Sequence, residues 1–339
     1  MAYLNSYSAP VPLETCDWHA NTPLEAYDQN FAFALPPSGI LETEGVRLEP
    51  LVPSLHAPRL FQLFTACPGG MAYLPYGPFP TYTSFLTFLE GRRQRSNCLI
   101  FTVYDLGLEF DPEDQVNEGD RLRPERIAGI VGLITTPEFR MAELGPLHLA
   151  DQFHRTHVLT HSVWLLLDWM FSSPFAPPSS SAPPSSGSSS ASSIPSLPAP
   201  TRGLGLRRAQ WGAEHTNLAS VQGALRIGFS NESPFITWDR PLRHESKSGR
   251  LELPWFVEQD PRWREWEEEN VGWGRHSALL GMGWDDWHSA SSSAGAENEH
   301  DDGRDGQEKR RGGHREKVWA MVQRGVVRRR ADTVSGLLS

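Results

Sequence analysis

Residues 157–172 form a helix-length segment whose side chains are apolar on nearly every side. A helix without a polar face is stable only where it is buried, so the fold must supply packing partners around it. Its most apolar part, residues 163–171, is about nine residues long and contains Asp168, whereas a membrane-spanning helix needs about 20 apolar residues. The segment therefore predicts a central helix inside a soluble domain.

The periodicity around this helix predicts an ordered series of strands and helices. Three strands follow one another without an intervening helix, which implies antiparallel hairpins, and a later strand–helix–strand run implies a right-handed parallel crossover. We therefore expect an α+β fold: a mixed, mostly antiparallel twisted sheet with helices on both faces. The predicted strands are 46–51, 98–104, 126–135, 139–149, 206–213, 235–242 and 277–284, and the other helices are 53–64, 83–95 and 217–227.

Composition divides the chain into an arm, one domain with insertions, and a tail. Serine and proline fill most of residues 174–200, a composition that cannot bury enough apolar surface to fold. We expect a peripheral helix in the tail, because a charged, glycine-rich spacer precedes it. The predicted units are an extended arm (1–40), a domain (41–287) with insertions at 106–125, 174–202 and 245–273, and a mostly disordered tail (288–339) with a helix at 316–331.

The charge and cysteine content of the chain limit which partners it can bind and in which cellular compartment we expect it. The chain has 31 Lys and Arg against 41 Asp and Glu, a net charge of −10, and a negative field opposes binding to nucleic acid. Cys16, Cys67 and Cys98 are scattered and form no CxxC motif, which favours a reducing compartment and no structural zinc. The first charged residues, Glu14 and Asp17, argue against a mitochondrial presequence. We expect a cytoplasmic protein, possible also in the nucleus, that binds no membrane.

Several segments together resemble the GNAT N-acetyltransferase superfamily, in the branch that includes ribosomal-protein N-terminal acetyltransferases. Residues 203–211 (GLGLRRAQW) resemble the branch's LGxRRxxW strand, and 217–229 (NLAS…ALRIGF) its NxxS…LGF helix. Residues 155–162 (RTHVLTHS) resemble its RTxxxTEA segment. Similar stretches at 46–51, 73–79, 275–278 and 284–287 occur in the expected order. The resemblance implies an acyl-CoA N-acyltransferase fold.

The resemblance also implies acetyl-CoA as co-substrate, held between strands 139–149 and 206–213 where these splay apart. The superfamily's phosphate loop, Q/R-x-x-G-x-G/A, aligns with Gln152, Arg155 and His157, so large residues stand at both small positions. Arg155 could replace the missing backbone approach by a charge-assisted bond to phosphate; otherwise it is a solvated arginine beside a Thr156 N-cap. The cofactor-binding residues implied are Leu147, Gln152, Arg155, Thr156, His157, Val158, Thr160, Asn217 and Ser220.

Two residues carry the chemistry that the resemblance implies. Glu143 would accept the acceptor's ammonium proton, and Ser220 would donate to the leaving thiolate. Glu143 could instead be an ion-paired strand carboxylate, and Asn217, beside the cleft, could simply cap its helix. Tyr73, Tyr76 and Phe79 would line the acceptor end or pack on the core.

No metal is expected. His157 and His161 share a helix face, but no third ligand is near them in sequence.

The sequence therefore predicts an enzyme that transfers acetyl directly to a primary amine, either a protein N-terminus or a small amine. A catalytically weak or inactive acyl-CoA-binding scaffold is the alternative. The filled small positions of the phosphate loop, the long insertions and the tail fit it, and His161 and His276 replace the branch's Glu and Asp. A third alternative, a nucleic-acid module in the basic tail, conflicts with the net charge. The tryptophans of 245–273 could form a partner surface or a cover. The acceptor itself stays open.

Overall fold

The computed structural model describes residues 18–109, 123–175, 198, 202–242, 259, 261–262, 273–288, 314–324 and 329–330. Most of the arm's first half, of the three expected insertions and of the tail lies outside these residues. The elements run in the order β1 (Leu41–Glu42), β2 (Val46–Pro50), α1 (Pro53–Ala66), α2 (Tyr82–Arg93), β3 (Cys98–Asp105), β4 (Leu108–Glu109), β5 (Ile127–Thr136), β6 (Met141–Leu149), α3 (His157–Phe171), β7 (Arg208–Glu214), α4 (Leu218–Ile227), β8 (Ser230–Leu242), β9 (Trp273–Gly283), α5 (Trp284–His288), α6 (His314–Val322) and β10 (Arg329–Arg330).

Within these residues, eight strands form one sheet in the order β1-β2-β3-β5-β6-β7-β9-β8. Neighbouring strands are antiparallel except β6 and β7, which run parallel. Every residue of β3 is buried, and successive strand residues point to opposite faces, so both faces of the sheet are covered at its centre. The predicted mixed, mostly antiparallel sheet is confirmed.

Helix α3 is the predicted central helix, and it is buried along almost its whole length. It begins at Thr156, whose hydroxyl oxygen accepts a hydrogen bond from the Val158 N–H at 3.3 Å, and it packs against β2, β7 and α6. These contacts surround the helix with apolar surface, which is what its sequence demands. No helix in the described part of the chain is both long and apolar enough to span a membrane.

Two strands are longer than their periodicity predicts. β8 begins at Ser230 instead of 235, and β9 begins at Trp273 instead of 277. The two strands pair along their length with several register shifts, so an alternating pattern is interrupted and the sequence signal is lost. Helix α4, in contrast, ends as predicted at Gly228, which has a left-handed φ of 113°.

The tail helix differs from the expectation of a peripheral helix at 316–331 in both its ends and its packing. The helix spans His314–Val322, and Val318 and Val322 are buried. Trp319 lies with its ring centroid 4.6 Å from that of Trp164 on α3. An apolar helix needs cover on every side, and α6 supplies that cover for α3.

Candidate active site

A cleft opens where β6 and β7 diverge. In the described chain the two strands pair at three positions, the last of which joins Glu143 to Gln210. Beyond it, β6 continues to Leu149 past a register irregularity opposite Val131 and Leu133, and Pro146 has no N–H to donate to a ladder. The resulting cleft has a volume of about 880 Å³ and is lined by β6, β7, and the starts of α3 and α4.

The N-terminus of α3 faces this cleft through Arg155. Arg155 is exposed and has a left-handed backbone, with φ at 58°. It stands at the first small position of the aligned phosphate loop, and its backbone has the kind of conformation that favours glycine. A helix N-terminus also attracts anions through its free N–H groups and its dipole. Backbone and side chain therefore both suit a phosphate at this end.

Helix α4 contributes a second flank. Asn217 lines the cleft, and its Oδ1 accepts a hydrogen bond from the Ser220 N–H at 3.1 Å, so it lies at the cleft and caps its helix at the same time. Arg226 also lines the cleft. Sequence reasoning missed Arg226, because an arginine in the last turn of an amphipathic helix has the pattern of a solvated residue.

The side chain of His157 points away from the cleft. Its Nε2 lies 3.2 Å from Asp105 Oδ1 and 3.0 Å from the Gly45 carbonyl oxygen. The structure does not support the expected cofactor contact by this side chain, because the N-terminus of α3 turns it toward β3. Val158 and Thr160 are likewise buried and do not line the cleft.

Thr156 and Gln152 belong to the loop before α3, but their side chains do not line the cleft. The Thr156 hydroxyl donates to the Phe153 carbonyl oxygen at 2.7 Å, and Gln152 Oε1 lies 3.9 Å from Cys67 Sγ. Of the nine implied cofactor-binding side chains, those at the cleft are Leu147, Arg155, Asn217 and Ser220.

His161 is a core residue. Its ring centroid lies 5.1 Å from that of His157, and its Nδ1 is 2.8 Å from Thr43 Oγ1. Burial, together with the neighbouring His157, lowers the pKa of His161 to about 4. The described residues contain no group of three or more metal-ligating side chains.

Glu143 lines the cleft at the end where β6 and β7 still pair, which we call the closed end, and it forms the last of these pairs with Gln210. A Cβ built on Gly212 would come within 3.0 Å of Glu143 Oε1, so the carboxylate lies directly over this glycine of β7. Burial raises the pKa of Glu143, while Arg240 and Arg275 oppose the rise. No hydrogen bond or ion pair to Glu143 is found within the described residues, which leaves its carboxylate able to accept a proton.

Ser220 lines the cleft with an oriented hydroxyl. Trp211 donates its indole Nε1–H to Ser220 Oγ at 3.0 Å. A hydroxyl has one proton to donate and can accept at the same oxygen. The indole contact therefore leaves the Ser220 proton available to a group in the cleft.

The three predicted aromatic residues divide into two groups. Tyr73 and Tyr76 line the cleft, and burial raises the pKa of Tyr76. Phe79 is not part of the lining: its ring centroid lies 5.1 Å from those of both Phe85 and Phe88. Phe79 is a packing residue of the loop, as the alternative interpretation has it.

Three arginines near Glu143 were not predicted. Arg92, Arg240 and Arg275 all line the cleft. Arg92 lies 5.8 Å above the ring of Tyr76, and Arg275 is only 5% exposed. An arginine in a strand resembles a solvent-facing residue in sequence, and no local signal distinguishes a buried one.

Comparison with solved structures places the fold among acetyltransferases. A probable GNAT-family acetyltransferase from Chromobacterium violaceum matches with a TM-score of 0.50 and 19% identity, over 83% of this chain and 100% of that chain. An acetyltransferase from Salmonella typhimurium that modifies the N-terminal serine of ribosomal protein L7/L12 matches at 0.45 and 13%, over 72% and 98%. Mycobacterium smegmatis RimJ, in complex with CoA-disulfide, matches at 0.43 and 13%, over 72% and 86%.

Identity this low shows a shared fold alone, and the fold expected from the sequence resemblance is confirmed. Neither the scan against protein-family models nor the search of curated proteins found a match.

Proposed function

We propose that this chain, which has the fold of GNAT acetyltransferases, transfers an acetyl group from acetyl-CoA directly to a primary amine. The observation that carries the proposal is the cleft between β6 and β7. Its closed end holds a half-buried carboxylate, Glu143, and the N-terminus of α3 with Arg155 also lines it. An anion site and a proton acceptor in one cleft are what acetyl transfer from a phosphate-bearing thioester to an ammonium requires.

The residues present fit the co-substrate. Acetyl-CoA supplies an activated acetyl thioester when it is bound. Arg155 and the N-terminus of α3 would hold its pyrophosphate, Arg226 would add a second cation, and Asn217 would contact the arm that leads to the sulfur. The left-handed backbone at Arg155 supports this assignment, since it lets main-chain N–H groups approach a phosphate although no glycine is present.

Glu143 acts as the proton acceptor in the proposed reaction. An amine is protonated at neutral pH and must lose a proton before it can attack. Burial raises the pKa of Glu143, which makes the carboxylate a stronger base than an exposed glutamate. The hydroxyl of Ser220, held by Trp211, donates a hydrogen bond to the sulfur, which departs as a thiolate. Cys67 and Cys98 do not line the cleft, so neither suits a covalent route.

A non-catalytic acyl-CoA-binding scaffold is the second candidate. Arg155 and His157, both large, stand at the small positions of the phosphate loop. The side chain of His157 is bound to the Gly45 carbonyl oxygen and lies beside Asp105, so it does not contribute to the cleft.

The test is release of free thiol from acetyl-CoA in the presence of a panel of primary amines. We expect release with at least one amine, and a loss of about 10²–10⁴-fold in kcat in Glu143→Gln. Glu138→Gln makes the same chemical change at an exposed site outside the cleft and should keep wild-type rates.

Tight CoA binding without release across the panel would favour the scaffold. Absence of CoA binding by calorimetry would overturn both candidates.

A further inference from the structure

Arg275 is a buried cation that has no matched partner among the described residues. It is only 5% exposed, it lines the cleft, and its Nε has no hydrogen-bond partner in the described part of the chain. It lies on β9 opposite Arg240 of β8. A buried charged group whose donors are unmatched is costly unless something else satisfies them. The cleft is the open space from which a ligand could reach it.

The acids around Arg275 have other partners. Asp239, Glu143 and Glu214 are the negative groups close enough to act on it, and Arg240 is the nearest cation. Asp239 Oδ2 accepts from the Ser277 hydroxyl at 2.7 Å and from Arg240 Nε at 3.0 Å.

Glu214, the second acid, accepts from the Thr216 N–H at 2.8 Å through Oε2; its Oε1 lies 2.6 Å from His215 Nδ1 without forming a hydrogen bond. Glu143, the third, makes no ion pair with Arg275 within 4 Å in the described chain. The guanidinium therefore retains donors for a ligand.

We propose, resting on the function proposed above, that Arg275 binds a carboxylate of the acceptor, so that the acceptor is an amine with a carboxylate close to its nitrogen. A guanidinium presents paired N–H donors that match the two oxygens of a carboxylate. Arg275 and Glu143 influence each other electrostatically at the closed end of the cleft. One group thus holds the carboxylate while the other takes the proton from the ammonium.

A singly charged carboxylate fits this place better than a phosphate. Three acids surround the cation, and like charges at short range disfavour a second negative charge on the ligand. Arg92, stacked on Tyr76, adds a cation across the cleft. The phosphates of CoA have their own cations, Arg155 and Arg226, next to α3 and α4.

The test compares matched acceptors that differ in one group. L-amino acids and their α-amides are assayed for thiol release from acetyl-CoA, and their binding to the protein–CoA complex is measured by calorimetry. We expect KM and Kd to be about tenfold to hundredfold lower for the acid than for its amide. Dipeptide amides that begin with Asp or with Asn distinguish an acidic peptide N-terminus from a free amino acid.

Arg275→Gln should abolish the preference for the acid by raising its KM, with little change for the amide. Arg275→Lys keeps the charge and should retain part of the preference for the acid. It allows the same comparison to be made if Arg275→Gln does not fold. Arg47→Gln is the control, since Arg47 belongs to the same sheet, pairs with Glu42 and Glu49, and lies outside the cleft.

Equal binding of acids and amides by the wild type would overturn the inference while leaving acetyl transfer intact. Equal losses for both ligands in Arg275→Gln would also overturn it, because Arg275 would then be a structural counter-ion. Absence of thiol release would count against the proposed function instead, and the calorimetric comparison of acid and amide would still decide the inference.

Discussion

At the scale of the residue, Glu143 lowers the stability of the fold at neutral pH, and the same property suits it to the proposed role of proton acceptor. Burial raises its pKa, so the native state holds this proton more tightly than the unfolded chain does. As pH rises from the ordinary glutamate range through the raised pKa, the unfolded state loses its proton first, and the free energy of unfolding falls. A neutral side chain of the same shape escapes that loss.

We therefore expect Glu143→Gln to raise Tm relative to the wild type at pH 7 and to lose that gain at about pH 3.5, below the ordinary glutamate pKa. Thermal unfolding at the two pH values measures the difference, with Glu138→Gln as the matched exposed control. A lower Tm for Glu143→Gln at pH 7 would show that Glu143 is a structural counter-ion of Arg275.

Arg155 combines a left-handed backbone with the charge that the proposed phosphate contact needs. Its φ of 58° costs a residue with a Cβ about 1–2 kcal/mol. Arg155→Gly should therefore be about 1 kcal/mol more stable to urea than Arg155→Ala. Both variants should bind CoA about tenfold to hundredfold more weakly than the wild type by calorimetry.

Pantetheine lacks the pyrophosphate, so all three forms of the protein should bind it alike. Unchanged CoA affinity in both variants would remove Arg155 from the phosphate site.

At the scale of the element, α6 is part of the core although its sequence is strongly charged. Val318 is fully buried, and Arg315 Nε donates to Asp168 Oδ1 of α3 at 2.7 Å. Val318→Ala removes two buried methyl-sized groups and should lower the free energy of unfolding by about 1–2 kcal/mol in urea. Lys317→Ala, at an exposed neighbour, should leave it within 0.5 kcal/mol. Equal midpoints would mean that α6 is not docked in solution.

Local sequence patterns predicted some features of the helices and strands and missed others. The succession of strands and helices along the chain was predictable from local alternation and helical periodicity, and the diverging pair was predictable from the resemblance that motifs such as 203–211 carry. The docking of α6 was not, since Arg315 and Asp168 are far apart in the chain and no local pattern indicates that they meet. The direction of His157 was missed for the same reason: its partner Asp105 ends a strand that the helix sequence does not specify.

At the scale of the whole molecule, the serine- and proline-rich insertion leaves and re-enters the fold at one place. The Gly203 N–H donates to the Ser173 carbonyl oxygen at 3.1 Å, and the Gly205 N–H to that of Ser172 at 2.9 Å. Replacing residues 176–201 by a short Gly/Ser linker should therefore keep Tm within a few degrees, since loop length costs only about 0.6 kcal/mol per doubling.

The Arg315 contact with the Pro198 carbonyl oxygen would be lost in this variant, which makes a small decrease the expected sign. A fall in Tm of more than about 10 °C, well beyond the few degrees that 1 kcal/mol produces in a domain of this size, would show that the segment is part of the core.

Within the described residues β6 and β7 pair at only three positions, and this short pairing joins two parts of the sheet. One part holds β1-β2-β3-β5-β6 and the other β7-β9-β8. A molecule bound in the cleft would contact both parts, and we expect it to reduce their motion relative to each other. Amide hydrogen–deuterium exchange measures this motion, and CoA should slow exchange at residues 211–213 and 147–149. The amides of β3 should exchange equally slowly with and without CoA. Bound CoA would then hold the two parts of the sheet together, and the protein would be most open after CoA has left, when the cleft is free to bind acetyl-CoA again.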